Sequence, residues 1–215
     1  MTQQYASSMQ AVAIRVSRLM SDGSIATGPS ASYVLTSDFI SLSFTAEVSE
    51  GIDIETVGGD GTICAAYRGP DTLKRVNIEL AICNPDPEAS EILAGGTLLT
   101  DAGVTVGYAP PPVGVNGNPN GAAIEVWSRA IVAGKPDGTK PYWHWVLPYT
   151  IMAPSGDRTL ENGQLATTFS GWGVGNEAFD EGPAGDWPFI SDRAYQYARS
   201  ATAPVGAHGY VTVPA

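Results

Sequence analysis

The sequence predicts a mainly β protein, an antiparallel β-sandwich or barrel-like fold with one short flanking α-helix and long loops. Three observations predict it. Apolar and polar residues alternate with period two over several long segments, as in strands with one face buried. Only one segment carries a complete set of helix start and stop signals. The rest is rich in Gly, Pro and Asn and follows neither period.

The first strand is expected in "AVAIRVSRL", with Val12, Ile14 and Val16 on one side. "FISLSFTAEVS" alternates most cleanly: Ile40, Leu42, Phe44, Ala46 and Val48 oppose Ser41, Ser43, Thr45, Glu47 and Ser49. "KRVNIELAI" repeats the pattern, with Val76, Ile78, Leu80 and Ile82 set against Arg75, Asn77, Glu79 and Ala81. In "CNPDPEASEILAGG", Asp86 is a capping residue, Pro87 suits the first helical position, and Glu88 suits the positive helix start. Ile92 and Leu93 give this helix an apolar side, and Gly95 is expected to end it in the left-handed conformation. Residues 122–152 read as a hairpin whose turn is Lys135-Pro136-Asp137-Gly138. Segments 50–68, 109–121 and 170–189 are expected to be shaped loops on one domain spanning 1–215.

Composition narrows the function classes. The 215 residues suffice for a self-supporting core without a metal or disulfide staple. Hydrophobic residues make up 43% and charged ones 15%, which excludes a disordered acidic chain. The net charge of −11 argues against nucleic-acid binding and against anionic lipid. No apolar run is long enough for a signal peptide or a membrane span, so neither is expected. Cys64 and Cys83 are too few for a disulfide framework or a four-ligand metal site, and read as buried thiols.

No stretch supports catalysis or a cofactor. Gly171-Trp172-Gly173-Val174-Gly175 echoes a dinucleotide loop, yet Asn176 stands where a third glycine matters and "EAFDEGPAG" is a poor helix start. "SGWG" echoes chymotrypsin-like proteases, but the two histidines, His144 and His208, have no serine motif beside them. The acidic runs Glu47–Asp60 and Glu177–Asp192 lack the alternating ligands of a calcium loop. Tyr142, Trp143 and Trp145 leave open a carbohydrate-binding platform, which requires both tryptophans to be exposed.

Two segments carry a family resemblance. One is "LKRVNIELAICNPDPEASEILAGG", a strand leading straight into a short Pro-Asp-Pro-Glu helix; the other is "FSGWGVGNEAFDEGPAGDWPF". With the serine-lined strand before them, they resemble the major tail tube protein of long, non-contractile-tailed bacteriophages, over most of the chain. The resemblance implies an antiparallel sandwich that forms hexameric rings, with strands of neighbouring subunits joined into an inner barrel. The rings stack around a tape-measure protein and meet tail terminator and tail-tip proteins. The location implied is the virion tail, assembled in the bacterial host cytoplasm, with no cofactor, enzymatic activity or membrane insertion. Viral DNA passes through the lumen without specific binding.

On that reading Ser41, Ser43, Thr45, Glu47 and Ser49 are expected to line an acidic lumen, with Glu47 as a free acid, because they offer DNA no base and no stacking surface. Asp53, Glu55, Trp172, Asp186, Trp187 and Phe189 are expected at contacts between subunits, the aromatics as anchors. Another ring-forming tail component, a terminator or tail-base ring protein, is the nearest alternative.

Overall fold

The structure is a computed structural model, and it describes residues 6–36, 39–156, 166–184, 187, 190, 192–204 and 207–214. The chain runs β1 (Ser7–Arg18), β2 (Gly28–Leu35), β3 (Phe39–Ser49), β4 (Asp53–Val57), β5 (Ile63–Arg68), β6 (Thr72–Ile82), α1 (Pro87–Ala94), β7 (Thr97–Asp101) and β8 (Val104–Ala109). It continues with β9 (Ala122–Val132), β10 (Lys135–Pro136), β11 (Tyr142–Ser155), β12 (Thr167–Val174), a 3-10 turn at Glu177–Phe179, β13 (Gln196–Ser200) and β14 (Gly209–Val213). One antiparallel sheet follows the order β14-β2-β1-β9-β11-β12-β6-β3 and does not close into a barrel. β4–β5 and β7–β8 form separate hairpins.

The sheet folds over on itself at β11. Tyr142–Leu147 of β11 pair with β9, and Tyr149–Ser155 pair with β12, with an irregularity between Leu147 and Thr150. The halves on either side of this bend face each other across one core. Ile14, Val16, Tyr33 and Leu35 from the first layer meet Val76, Ile78, Leu80, Ile82, Met152 and Phe169 from the second. Ala89, Ile92 and Leu93 of α1 belong to the same core. Asp86 caps α1 by accepting from the Ala89 amide at 2.9 Å, with Pro87 opening the first turn as expected. Arg18 of β1 grips Glu91 through both guanidinium nitrogens and ties the helix to the first layer.

Several local expectations are corrected. Gly95 has positive φ but ψ of −163°, so the helix ends outside the left-handed helical region. A Cβ there would lie 2.0 Å from the Gly117 carbonyl oxygen, so the glycine admits close passage of the 110–121 segment. That segment is stapled down, because Asn118 Nδ2 donates to the Ile92 carbonyl at 2.7 Å. The tight turn after β9 falls at Ala133-Gly134, both with positive φ, ahead of the expected Lys135–Gly138. Asp137 instead accepts from the Thr139 and Lys140 amides and organises the longer return to β11. Segment 50–68 contains the β4–β5 hairpin, and Cys64 on it is exposed, not buried; neither cysteine is in a disulfide.

Ser170–Val174, expected in a loop, is the end of β12, an interior strand between β11 and β6. Its glycines serve packing. A Cβ at Gly171 would lie 2.0 Å from the Ile151 carbonyl oxygen, so no side chain fits without moving the neighbouring strand. A Cβ at Gly173 would meet Tyr149 O at 3.0 Å and the methyl ends of Ile78 and Val76 at 3.1 and 3.2 Å, which yield more easily. Gly171→Ala is therefore expected to lose about 3 kcal/mol or more and Gly173→Ala about 1 kcal/mol, read from urea unfolding. The reverse order would refute this account of β12.

Candidate functional site: a hydroxyl-lined sheet face with open edges

The second layer is a four-stranded unit: β3, β6, β12 and the distal half of β11. Period-two geometry divides its side chains into a core face and a solvent face. Leu42, Leu80 and Phe169 pair across the core face, as do Phe44, Ile78 and Gly171. On the other face, register aligns Ser43, Glu79, Ser170 and Ala153 in one row and Thr45, Asn77, Trp172 and Ile151 in the next. Ser41, Ala81, Thr168 and Ser155 make a third row. Two adjoining hollows of about 370 and 380 Å3 run along this face and share Ser43, Glu79 and Ser170.

Among the described residues neither lateral edge of the unit has a strand partner, although α1 packs against β11. β3 pairs only with β6 along its whole length. On the far side β11 overruns β9: the last pairing is Thr150 with Ala122, so Ile151–Ser155 have β12 on one side and no strand on the other. Pro154 lies in this overhang, at the kind of position to which sheets confine proline.

The charge on this face differs from the sequence expectation. Glu47 accepts from Arg75 Nε at 2.7 Å, Lys74 Nζ at 3.0 Å and Asn77 Nδ2 at 3.2 Å. The hydrogen bond from Arg75, then that from Lys74, holds its carboxyl down at about 2. Glu47 is thus ionised and tied to two bases, not a free acid. The three rows themselves carry no base: Arg75 pairs with Glu47 one row further along and, like Lys74, is spent on that contact, while Glu79 stands opposite Ser43 and Ser170. The surface is close to neutral and presents hydroxyls, an amide and apolar groups, of which Trp172 is the largest.

The expected residues divide accordingly. Ser41, Ser43, Thr45 and Ser49 are exposed on β3, and Glu47 is half-buried in its ion cluster. Trp172 lies on the same face as the serines, 6.4 Å from Tyr149 between ring centroids. Asp53 and Glu55 are exposed on β4. Trp187, expected at an interface, is a core residue of its own chain, only 6% exposed and packed with Leu19, Ala123, Val146 and Phe179. Its bulk is consumed in covering the first layer. Asp186 and Phe189 lie outside the described residues. Sequence reasoning missed Asn77, Thr168, Ser170 and Ser155 as neighbours of Ser41 and Ser43; alternation within "TTFSGW" carried that signal but was overridden by the glycines.

The other chemical cluster is buried on the opposite layer. Arg15 Nε and Nη2 donate to Glu125 at 2.6 and 2.8 Å, and His144 Nε2 lies 3.0 Å from Glu125 Oε1. Trp127 stacks on His144 at 4.2 Å and lies under Arg15 at 5.3 Å. A base beside an acid is half of a hydrolytic triad. Here Arg15 holds the acid in a two-pronged ion pair, and among the described residues no hydroxyl or thiol is shown bonded to His144. Trp143 and Trp145, which a sugar platform needs exposed, are half-buried: Arg199 lies over Trp143 at 5.1 Å, and Trp145 packs on Tyr197 and Phe44. Among the described residues no group of His, Cys, Asp and Glu side chains is placed to hold a metal, and no helix is long and apolar enough to cross a membrane. No protein-family model matches the chain, and no curated protein matches it.

Burial pushes the Glu125 carboxyl up, but Arg15, followed by His144, more than offsets this and holds it at about 2. A carboxyl lowered on folding contributes stability that is full above its unfolded value, near 4.5, and is lost as pH falls toward 2. Glu125→Gln leaves Arg15 buried without its counter-charge and is expected to lose about 3–5 kcal/mol at pH 7. The stability difference between wild type and variant should shrink steadily between pH 4.5 and 2; a constant difference across that range would refute the ion-pair account.

Proposed function

We propose that this chain is a structural subunit that self-assembles into stacked rings, the tail tube of a long non-contractile-tailed phage. The observation that carries the reading is the four-stranded unit with one face in the core, one face lined by hydroxyls, and, among the described residues, no strand paired on either edge. An eleven-residue strand with an unpaired edge is an aggregation hazard unless something covers it. Pairing β3 of one subunit with the Ile151–Ser155 overhang of the next covers the overhang and the facing part of β3, and repeated around an axis it closes a ring. The hydroxyl-lined faces then form a continuous inner wall.

Such a wall suits a DNA conduit. The two bases beside it, Arg75 and Lys74, are both engaged with Glu47, so among the described residues of this face phosphates find no unpaired cation. The protein's net charge of −11 adds repulsion that is screened within about 8 Å at physiological salt, enough to keep DNA off the wall without steering it from afar. Trp172 is the one aromatic in the three aligned rows and limits how bland that wall is. The tape-measure protein as lumen occupant, terminator and tip proteins at the tube ends, and the virion tail as location belong to this proposal through the family resemblance. The β4–β5 hairpin and the 110–121 segment, both projecting exposed apolar residues, are proposed contacts to neighbouring subunits.

Negative-stain electron microscopy of the purified protein over a range of concentrations should show hollow tubes or stacked rings with a bore wide enough for duplex DNA. Rings that never stack would favour a terminator or tail-base component, and monomers throughout would refute the tube reading. A Ser43→Lys, Ser170→Lys variant should still assemble, yet retain duplex DNA in a salt-dependent manner where wild-type tubes do not. Equal retention by both would overturn the assignment of this face to the lumen.

A further inference from the structure

We infer that the β4–β5 hairpin of one copy docks into an apolar cleft at the far end of β3 on the next copy. The inference rests on the self-assembly proposed above and adds the identity of the acceptor surface. The hairpin is exposed at every residue of both strands. One of its faces is apolar: Ile54 and Tyr67 sit directly opposite each other in register, 53% and 62% exposed. Ile52, 71% exposed, continues the same face at the base of the hairpin. Asp53 pairs with Arg68, and Glu55 with Ala66, on the opposite face. The hairpin thus presents Ile52, Ile54 and Tyr67 on one face, with Val57 and Ile63 exposed near its tip, an apolar patch of the kind that marks an interaction site.

The cleft is the mouth between the two layers. Leu42 and Phe44 of β3 face Val126 of β9, Trp145 of β11 and Ala11 of β1 around a volume of about 290 Å3. That lies at the bottom of the range of roughly 300–1,000 Å3 for small-molecule sites, and suits one or two large side chains. The mouth is held open by β1. Its register against β9 shifts between Met9 and Ala11 and again between Ala11 and Ala13, and Gln10 has a positive φ of 49°. Two successive irregularities flank Ala11, which lines the cleft, while Ser7, Ser8 and Met9 stay paired with β9.

Donor and acceptor lie at opposite ends of the same strand. The eight residues between Phe44 and Asp53, nine steps along the chain, correspond to about 30 Å if fully extended, and no hairpin residue lines the cleft of its own molecule. A contact between two different surfaces of identical chains is head-to-tail and propagates, which is what stacking requires and a closed dimer does not. The span Ile52–Arg68 approaches the roughly 20–30 residues a side of a standard interface. A second copy of this chain therefore supplies both the chemistry and the extent that the cleft calls for.

The test uses one variant for each partner surface, both at exposed positions. Ile54→Asp spoils the donor, and Ala11→Trp plugs the acceptor. Each should keep the wild-type thermal midpoint and raise the protein concentration at which stacking begins by at least about tenfold, read by sedimentation and microscopy. Mixing preformed units of the two variants should give pairs and nothing longer, because one intact donor and one intact acceptor remain. Wild-type tubes alongside Ala11→Trp tubes of normal length, or a mixture that forms no pairs, would overturn the docking while leaving the tube reading in place. A wild-type protein that never associates would overturn both.

Discussion

The molecule depends on β11 serving two layers. A strand of fourteen residues that stayed beside β9 throughout would make a flat, single-layered sheet with no enclosed core. The irregularity at Leu147–Thr150 breaks that run, and Asn176 secures the break. Its Nδ2 donates to the carbonyl of Pro148 in the bend and to that of Gly23, while its Oδ1 accepts from the Ala178 amide. One buried amide thus joins the β1–β2 turn, the β11 bend and the exit from β12. Because β11 leaves β9 there, the second layer acquires its own free edge at Ile151–Ser155. The feature that creates the core also creates the surface left for a neighbour.

The two layers treat charge oppositely. In the first, Arg15, Glu125 and His144 are withdrawn from water beneath Trp187, where ionised groups persist only as close-paired partners. In the second, the one cluster of charges, around Glu47, stays at the surface and nearly cancels. Buried pairs contribute specificity more readily than stability, since replacing both partners by apolar groups is often neutral. Arg15 and Glu125 are cross-strand partners between β1 and β9, so any slip of that register would leave a buried charge alone.

Much of this was legible in the sequence. Alternation placed β3 and β6 and chose their core faces, because a half-buried strand writes its burial directly into its residues. Capping chemistry placed α1 within the Asp86–Gly95 window. The failures share a cause. Gly171 and Gly173 read as loop residues, yet they are glycines because β11 and the ends of Val76 and Ile78 press against β12, a tertiary fact without local trace. Trp187 read as an interface anchor because a large aromatic in a Gly-Pro segment looks the same whether it folds inward or outward. Glu47 read as free acid because its bases, Lys74 and Arg75, are distant in sequence and adjacent only through the β3–β6 register.

Magnitudes decide how the open edges can act. Alternate residues of an edge strand point their backbone groups outward, so the five-residue overhang of β11 offers about two or three residues that exchange about four to six hydrogen bonds with a neighbour. At roughly 0.5–1.5 kcal/mol each, they supply about 2–9 kcal/mol. Association of two molecules costs on the order of 4–15 kcal/mol in lost freedom. Edge pairing alone therefore gives register and direction, with little affinity to spare. Affinity has to come from apolar burial elsewhere, and from ring closure, where the last contact forms within one assembly at high effective concentration. This division accounts for a long edge on β3 whose one charge, Glu47, is tied to Lys74 and Arg75 in a chain of net charge −11: an edge too weak to capture a stray partner alone needs no further charged guard.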